Sequence, residues 1–303
     1  MWLIFYWREC MSSHRLNVRD TGSDLFFYID GSLQFAASDE HIYHELLAAA
    51  SAFISTPRVK KPLNALIMGG GDGLCLREIL KVETLKEVTL VDYDKEVLEL
   101  ARTTFSPWNK NSLCDSRVNI QVKDAREYLA STKKIFDLII ADFTFPSSLD
   151  ECGLFTSKFF YLVGKRLSQR GIFALNAVSP YLSCAAYWSI FKTLLSLKIY
   201  PKPMHANIPS FVSHGYGEWG FFLASKTPVS RREIKNIKLP QGLRFLTAAS
   251  ILESMQFPCD AVRPGFLTGN ILEEPCDLLG FLNTSELWPV AGSQMFDFSY
   301  SLS

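Results

Sequence analysis

The spacing of apolar positions changes along the chain, and the changes mark three regions. Residues 16–40 hold two β-rich pieces separated by "DTGSD", with a second tight-turn signal at Asp30-Gly31. This pattern predicts a small antiparallel N-terminal unit. "EHIYHELLAAASAFI" (40–54) then places apolar residues at helical spacing behind an acidic start, which predicts a linking helix.

From residue 62 the pattern becomes an alternation of strands and helices. "NALIMGGGDG" reads as a buried strand entering a glycine loop, followed by the helix "LCLREILKV". "EVTLVDYD" and "KEVLELARTTF" repeat the unit, as do "RVNIQVKDA" with the short helix "REYLAS". "FDLIIADF" is the fourth strand, and "SKFFYLVGKRLSQRG" carries a helix to a glycine stop. "IFALNAV", the helix "AAYWSIFKTLLSL" and a last strand "EWGFFLASK" complete the series. Short apolar strands alternating with helices predict an α/β fold with a doubly wound, mostly parallel sheet covered on both faces. The expected organisation is a β unit with its helix over 1–55, a Rossmann-like nucleoside-binding domain over 56–225, and a less regular C-terminal extension over 226–303.

Composition adds limits. A chain of 303 residues with 48% hydrophobic content can bury a large core. Formal net charge is zero, and the densest basic stretch, "SRREIKNIK" (230–238), reads as a solvated segment. Neither a nucleic-acid surface nor a basic membrane patch is expected. The seven cysteines are scattered and never in CxxC spacing, which predicts free thiols in a reducing cytoplasm. The opening "MWLIFYW" is too short to span a bilayer and lacks the shape of a signal peptide; it reads as an edge strand or the remnant of a longer upstream segment.

The chemistry gathers at strand ends. "GGGDG" (69–73) follows a strand and opens a helix, where glycines such as Gly69 and Gly71 let backbone turn tightly and approach a ligand. Asp92 ends the next strand 21 residues past Gly71, where a carboxylate can accept from both hydroxyls of a ribose. Asp72 sits inside the loop. It would repel a pyrophosphate and favour a cationic ligand such as a sulfonium or an amine, although Asp also serves simply to cap a helix. Asp124 ends the third strand, either beside an adenine edge or as a cap for the helix after it. Asp142 ends the fourth, as a base at the mouth of the sheet or as a turn residue. Four strand-end carboxylates on one rim favour a nucleoside site over coincident caps.

These segments resemble a known family. "YIDGSLQFAASDEHIYHELL", "LIMGGGDGLCLREILK", "VTLVDYDKEVLELAR", "VKDAREYL", "FDLIIADFTFP" and "LFTSKFFYLVGKRLSQRGIFAL" follow in order as in the polyamine aminopropyltransferases, spermidine synthase and its relatives. The similarity runs from about residue 20 to 225, and "NIPSFVSHGYGEWGFFLAS" is similar to a branch often fused to membrane helices. On that comparison "MWLIFYW" is where such a region would be missing. The resemblance implies a sheet of the class I methyltransferase type, a homodimer in the cytoplasm, and no prosthetic group or metal. It also implies transfer of an aminopropyl group from decarboxylated S-adenosylmethionine to an amine such as putrescine, giving spermidine and methylthioadenosine. Carried over by position, Gln34, Gly69, Gly71, Asp92, Asp124 and Ala125 hold the thioadenosine and Asp72 takes the aminopropyl ammonium. Tyr43 and His44 line the acceptor site, and Asp142 accepts the proton. His44 has an ordinary alternative as a hydrogen-bonded residue on a helix surface; Tyr216 and Trp219 read as core or rim aromatics.

The sequence departs from the family at three places. Phe145 stands where a second acidic residue usually precedes the proline, Ala125 where glycine is usual, and Leu149 where proline is frequent. Losing a charge partner for an ammonium costs about 2–5 kcal/mol, and a cation–π contact with phenyl recovers roughly 0.5–2 kcal/mol. The nucleoside half is intact and the acceptor half altered. Two other functions therefore stay open: a methyltransferase using intact S-adenosylmethionine, and a non-catalytic nucleoside-binding relative.

Overall fold

The computed structural model describes residues 14–259, 261–262 and 269–283, with the backbone of 295–297. The apolar opening run, Cys10 and the remaining C-terminal residues lie outside the described residues.

Three antiparallel strands form the N-terminal sheet: β1 (Leu16–Asp20), β2 (Leu25–Ile29) and β3 (Ser32–Ala36). Asp30 and Gly31 take positive φ in the β2–β3 turn, as the Asp-Gly signal predicts. Phe27 and Phe35 pack on Phe105 at ring distances of 4.9 and 5.2 Å, within a cluster that includes Leu74 and Val97. This cluster seats the small sheet over the glycine loop. The linking helix has two α segments, α1 (Glu40–His44) and α2 (Ala50–Val59), joined by a π turn at Glu45–Ala49.

The main sheet has seven strands: β4 (Leu63–Gly69), β5 (Leu85–Asp92), β6 (Val118–Val122), β7 (Phe136–Asp142), β8 (Leu167–Asn176), β9 (Tyr200–Ala206) and β10 (Trp219–Ser225). Their order is β6-β5-β4-β7-β8-β10-β9, with β10 antiparallel to both neighbours and the other described pairings parallel. After β4 the chain moves outward to β5 and β6, then returns to the other side of β4 as β7. The crevice between these two directions, at the carboxyl ends of β4 and β7, is where such sheets bind ligands. The helices that flank the sheet include α3 (Leu74–Ile79), α4 (Lys95–Arg102), α5 (Ser106–Asn109), α6 (Ala125–Ser131), α7 (Leu149–Cys152), α8 (Ser157–Arg166) and α9 (Cys184–Ser196). Strands β4, β7 and β10 are nearly all buried side chains, which is why their sequences read as unbroken apolar runs.

Two elements differ from the sequence expectation. The helix expected to run to Gly171 stops at Arg166, and β8 begins at Leu167. The pairing of β7 with β8 shifts register between Phe136 and Leu138, which accommodates the extra strand residues. Strand β9, "YPKPMHA", is absent from the sequence reading because Pro201 and Pro203 argue against a strand. It lies at the sheet's edge, where prolines are tolerated on the open side. His205, next in that alternation, donates its N–H outward to Ser254 O at 2.9 Å. The C-terminal extension thus meets the edge at Ser254 and Gln256; α10 (Pro209–Ser213) links β9 to β10, and the extension itself holds α11 (Arg231–Lys235), α12 (Ala248–Glu253) and the two-stranded pair at Gln256–Pro258 and Met295–Asp297. None of the six cysteines among the described residues is in a disulfide, and no described helix is long and apolar enough to cross a membrane.

Candidate active site

A cleft at the carboxyl edge of the main sheet is lined by Gln34, Tyr43, His44, Gly69, Gly71, Asp72, Asp92, Asp124, Ala125 and Asp142. The fold therefore brings every candidate from the sequence to one place. Phe145, Asn176, Phe211, Tyr216 and Trp219 complete its wall.

The glycine loop permits close approach. Gly69 has φ +73°, and a Cβ there would lie 2.1 Å from the carbonyl oxygen of Asp142. A Cβ on Gly71 would lie 2.6 Å from Asp92 Oδ2, the atom to which Gly71 N–H donates at 2.9 Å. Asp92 Oδ1 accepts from Asp94 N at 2.8 Å. Burial lifts the Asp92 carboxyl to about 7. Gln34 Nε2 donates to Ser32 O at 3.0 Å, which fixes the amide on the β2–β3 side of the cleft.

Both roles considered for Asp72 are compatible with its geometry. Oδ1 accepts from Leu74 N at 2.8 Å at the start of α3, and Oδ2 has no hydrogen-bond partner among the described residues. Burial raises its carboxyl to about 6, against the opposing pull of His44. Asp124 does cap α6, accepting from Arg126 N and Glu127 N at 2.8 and 3.1 Å. The Arg126 guanidinium also holds it, with Nη2 on Oδ2 at 3.0 Å. These contacts leave Asp124 more fully occupied than Asp92.

Asp142 and the linking helix form the other half. Tyr43 Oη donates to Asp142 Oδ1 at 2.6 Å. His44 is buried, not on a helix surface; its Nδ1 donates to Glu40 Oε2 at 2.9 Å and to Glu40 O at 2.7 Å. Burial opposes charge on the imidazole, but the Glu40 carboxylate outweighs it and holds His44 at about 9. Burial likewise opposes ionisation of Glu40, and His44 with Arg77 brings its carboxyl down to about 2. Arg77 grips Glu40 with two bonds of 2.8 and 2.9 Å. Donor atoms of His44, Cys75 and Asp142 lie within 4.8 Å of one another. The cluster is spaced for a divalent ion, but a protonated imidazole offers no lone pair to a metal. The arrangement is a carboxyl group with a neighbouring charged imidazole.

Several residues of the "DEHIYHE" segment build the scaffold. Asp39 accepts from Ser210 N and Oγ at 2.7 and 2.8 Å, fixing α10. Glu45 accepts from the backbone N–H groups of Arg244, Phe245 and Leu246, each at 2.8 Å, tying down the C-terminal extension. Tyr43 and His44 between them face the cleft.

Asn176 was missed from the sequence. It ends β8 and clamps the residue after Asp142, accepting from Phe143 N at 3.1 Å and donating to Phe143 O at 2.6 Å. The available signal was a polar residue ending an apolar strand, the same signal that marked the aspartates. Tyr216 and Trp219 were assigned to core or rim; both line the cleft, with Trp219 6.2 Å from Phe145 between ring centres.

Comparison with known proteins agrees with the sequence resemblance. Residues 40–233 match the spermine/spermidine synthase domain. The polyamine aminopropyltransferase of Oceanobacillus iheyensis is 36% identical over 242 residues, covering 79% of this chain and 45% of that protein. Polyamine aminopropyltransferase 2 of Bacillus cereus is 39% identical over 228 residues, covering 75% of this chain and 60% of the relative. The chain spans about half the length of the curated relatives it matches. Among solved structures, spermidine synthase from Thermotoga maritima superposes with a TM-score of 0.73 at 23% identity, covering 87% of each chain. A spermidine synthase in complex with the transition-state analogue AdoDATO gives 0.75 at 23% identity, over 87% of this chain and 88% of that one. The fold is thus the doubly wound sheet of the class I methyltransferase type, and the chain belongs to the spermine/spermidine synthase family.

Proposed function

We propose that this protein is an aminopropyltransferase that moves the aminopropyl group of decarboxylated S-adenosylmethionine to an amine nitrogen and releases methylthioadenosine. The observation that carries the reading is the convergence of Asp72 and Asp142 on one cleft, one beside the glycine loop and one at the end of β7.

Gln34, Gly69, Gly71, Asp92, Asp124 and Ala125 hold the thioadenosine in this account, with Asp92 accepting from the ribose hydroxyls. Asp72 Oδ2 takes the ammonium of the aminopropyl chain. The acceptor enters as a free base, and its lone pair forms a bond to the carbon next to sulfur as the carbon–sulfur bond breaks. The sulfonium leaves as a neutral thioether, and Asp142 takes the proton shed by the new secondary ammonium. Tyr43 orients that carboxylate through its 2.6 Å bond. An amine's ordinary pKa resembles that of lysine, so a free base is scarce at neutral pH. The His44 cation near Asp142 disfavours a second positive charge and so favours the free base. The same family reading carries a cytoplasmic homodimer acting on small amines.

Asp72 also bears on the methyltransferase alternative. The methionine carboxylate of intact S-adenosylmethionine would face a second carboxylate there. Calorimetric titration with the two compounds tests this: the decarboxylated form should bind at least about tenfold tighter. Equal or tighter binding of intact S-adenosylmethionine would overturn the assignment.

A further inference from the structure

The acceptor end of the cleft has an unusual balance of charge. An aromatic wall runs from Tyr43, bonded to Asp142, through Phe211 and Trp219 to Phe145, with ring distances of 5.9, 5.1 and 6.2 Å. Tyr216 packs on the same ring of Trp219 at 6.0 Å.

No carboxylate is left over for this wall among the described residues lining the cleft. Asp72 and Asp142 belong to the proposed reacting groups, and Asp92, at the end of β5, and Asp124, at the cap of α6, lie on the nucleoside side. Asp94 caps α4, accepting from Glu96 N at 2.9 Å. Asp150 is held by Arg126 Nη2 at 2.8 Å. Glu151, six positions past Phe145, is engaged through both carboxylate oxygens. Its Oε2 accepts from the backbone N–H and hydroxyl of both Ser147 and Ser148 at 2.8–2.9 Å. Its Oε1 accepts from Thr144 Oγ1 at 3.2 Å.

The polar atoms that remain on the wall are an indole N–H and a neutral hydroxyl, both able to donate. Trp219 Nε1 is buried and has no hydrogen-bond partner among the described residues. Tyr216 Oη accepts from Leu33 N at 2.9 Å, which leaves its own hydrogen to donate. An ammonium is also only a donor, so it finds no unengaged counter-charge here, only the remaining lone pairs of neutral tyrosine hydroxyls.

We propose that the acceptor is a primary amine whose far end is uncharged, either apolar or carrying a hydroxyl or ether oxygen, and that Phe145 is the residue that selects it. This rests on the aminopropyltransferase reading above. A diamine's second ammonium would sit against phenyl and indole rings, where cation–π attraction replaces only part of a lost carboxylate.

The test compares putrescine, aminobutanol and pentylamine, which share a chain of similar length and differ at the far end. With decarboxylated S-adenosylmethionine as donor, kcat/KM for aminobutanol or pentylamine should exceed that for putrescine by about tenfold or more. Phe145→Asp should reverse the order, and Phe145→Leu, which keeps the site apolar and spares the fold, should retain it. Calorimetric titration of the three amines into protein loaded with methylthioadenosine should give the same order. If binding keeps that order while no amine is turned over, the transfer chemistry fails and the selection stands. If putrescine binds or reacts as well as the uncharged-tail amines in the natural protein, or no amine binds, the inference is overturned.

Discussion

Tyr43 Oη donates a 2.6 Å hydrogen bond to Asp142 Oδ1, joining residues 99 positions apart in the chain. The first belongs to the linking helix behind the small N-terminal sheet and the second ends a central strand of the main sheet. The bond ties the two parts together at the point where a proton would be accepted.

Replacing Asp142 by Asn keeps the shape of the site and removes the proposed base. Turnover should fall by roughly 10²–10⁴-fold, the usual contribution of a positioned general base, while methylthioadenosine binding measured by calorimetry stays within about twofold. Tyr43→Phe leaves the base but frees its orientation, so its loss of turnover should be smaller.

With the nucleoside-binding role proposed for Asp92, binding should depend on pH. The Asp92 carboxyl lies near 7 in the folded protein because of burial, well above the usual value of about 4. Between about pH 4 and 7 the folded state therefore holds this proton more tightly than the unfolded chain, and the group's contribution to stability falls as pH rises through that window. Ribose hydroxyls donate to the ionised form, so affinity for methylthioadenosine should rise with pH up to about 7 and then level off. Calorimetry should show proton release on binding near pH 6. Asp92→Asn should abolish both the slope and the release; an unchanged slope would remove Asp92 from the binding site.

The buried Glu40 is held by His44 and by both arms of Arg77. Glu40→Ala removes the counter-charge bonded to His44 and one of the two on Arg77, which keeps Glu78, and should destabilise the fold by about 3–5 kcal/mol. Urea unfolding followed by circular dichroism measures it. A loss below about 1 kcal/mol would mean that the network adds little to stability.

His44 carries its positive charge up to about pH 9. Replacing it by Asn removes a cation from beside the incoming amine, so the amine's own proton is held more strongly. The rise of kcat with pH should then move upward by about one unit. A shift to lower pH would contradict the role given to that charge.

The strand-end aspartates were legible in the sequence because a buried parallel strand reads as an apolar run, and a charged residue closing it marks the rim. Asp92 and Asp142 stand at the last positions of β5 and β7, as that reading expects. The N-terminal turn was legible for the same local reason, through Asp30-Gly31. What escaped depends on distant partners. Strand β9 is allowed because it lies at the edge of the sheet, with β10 as its one neighbour, a fact about sheet order that no short window contains. The burial of His44 depends on Arg77 and Glu40 meeting across 37 residues. Trp219 and Tyr216 have the spacing of ordinary core aromatics, and only the folded chain places them opposite Phe145.

The central claim is tested most directly by incubating the protein with decarboxylated S-adenosylmethionine and a set of amines that includes putrescine, cadaverine, spermidine, aminobutanol and pentylamine. Chromatography follows methylthioadenosine and the aminopropylated amine. The account predicts that both appear in equal amounts with at least one amine and that Asp142→Asn largely removes them. Methylthioadenosine released with none of the amines would contradict it.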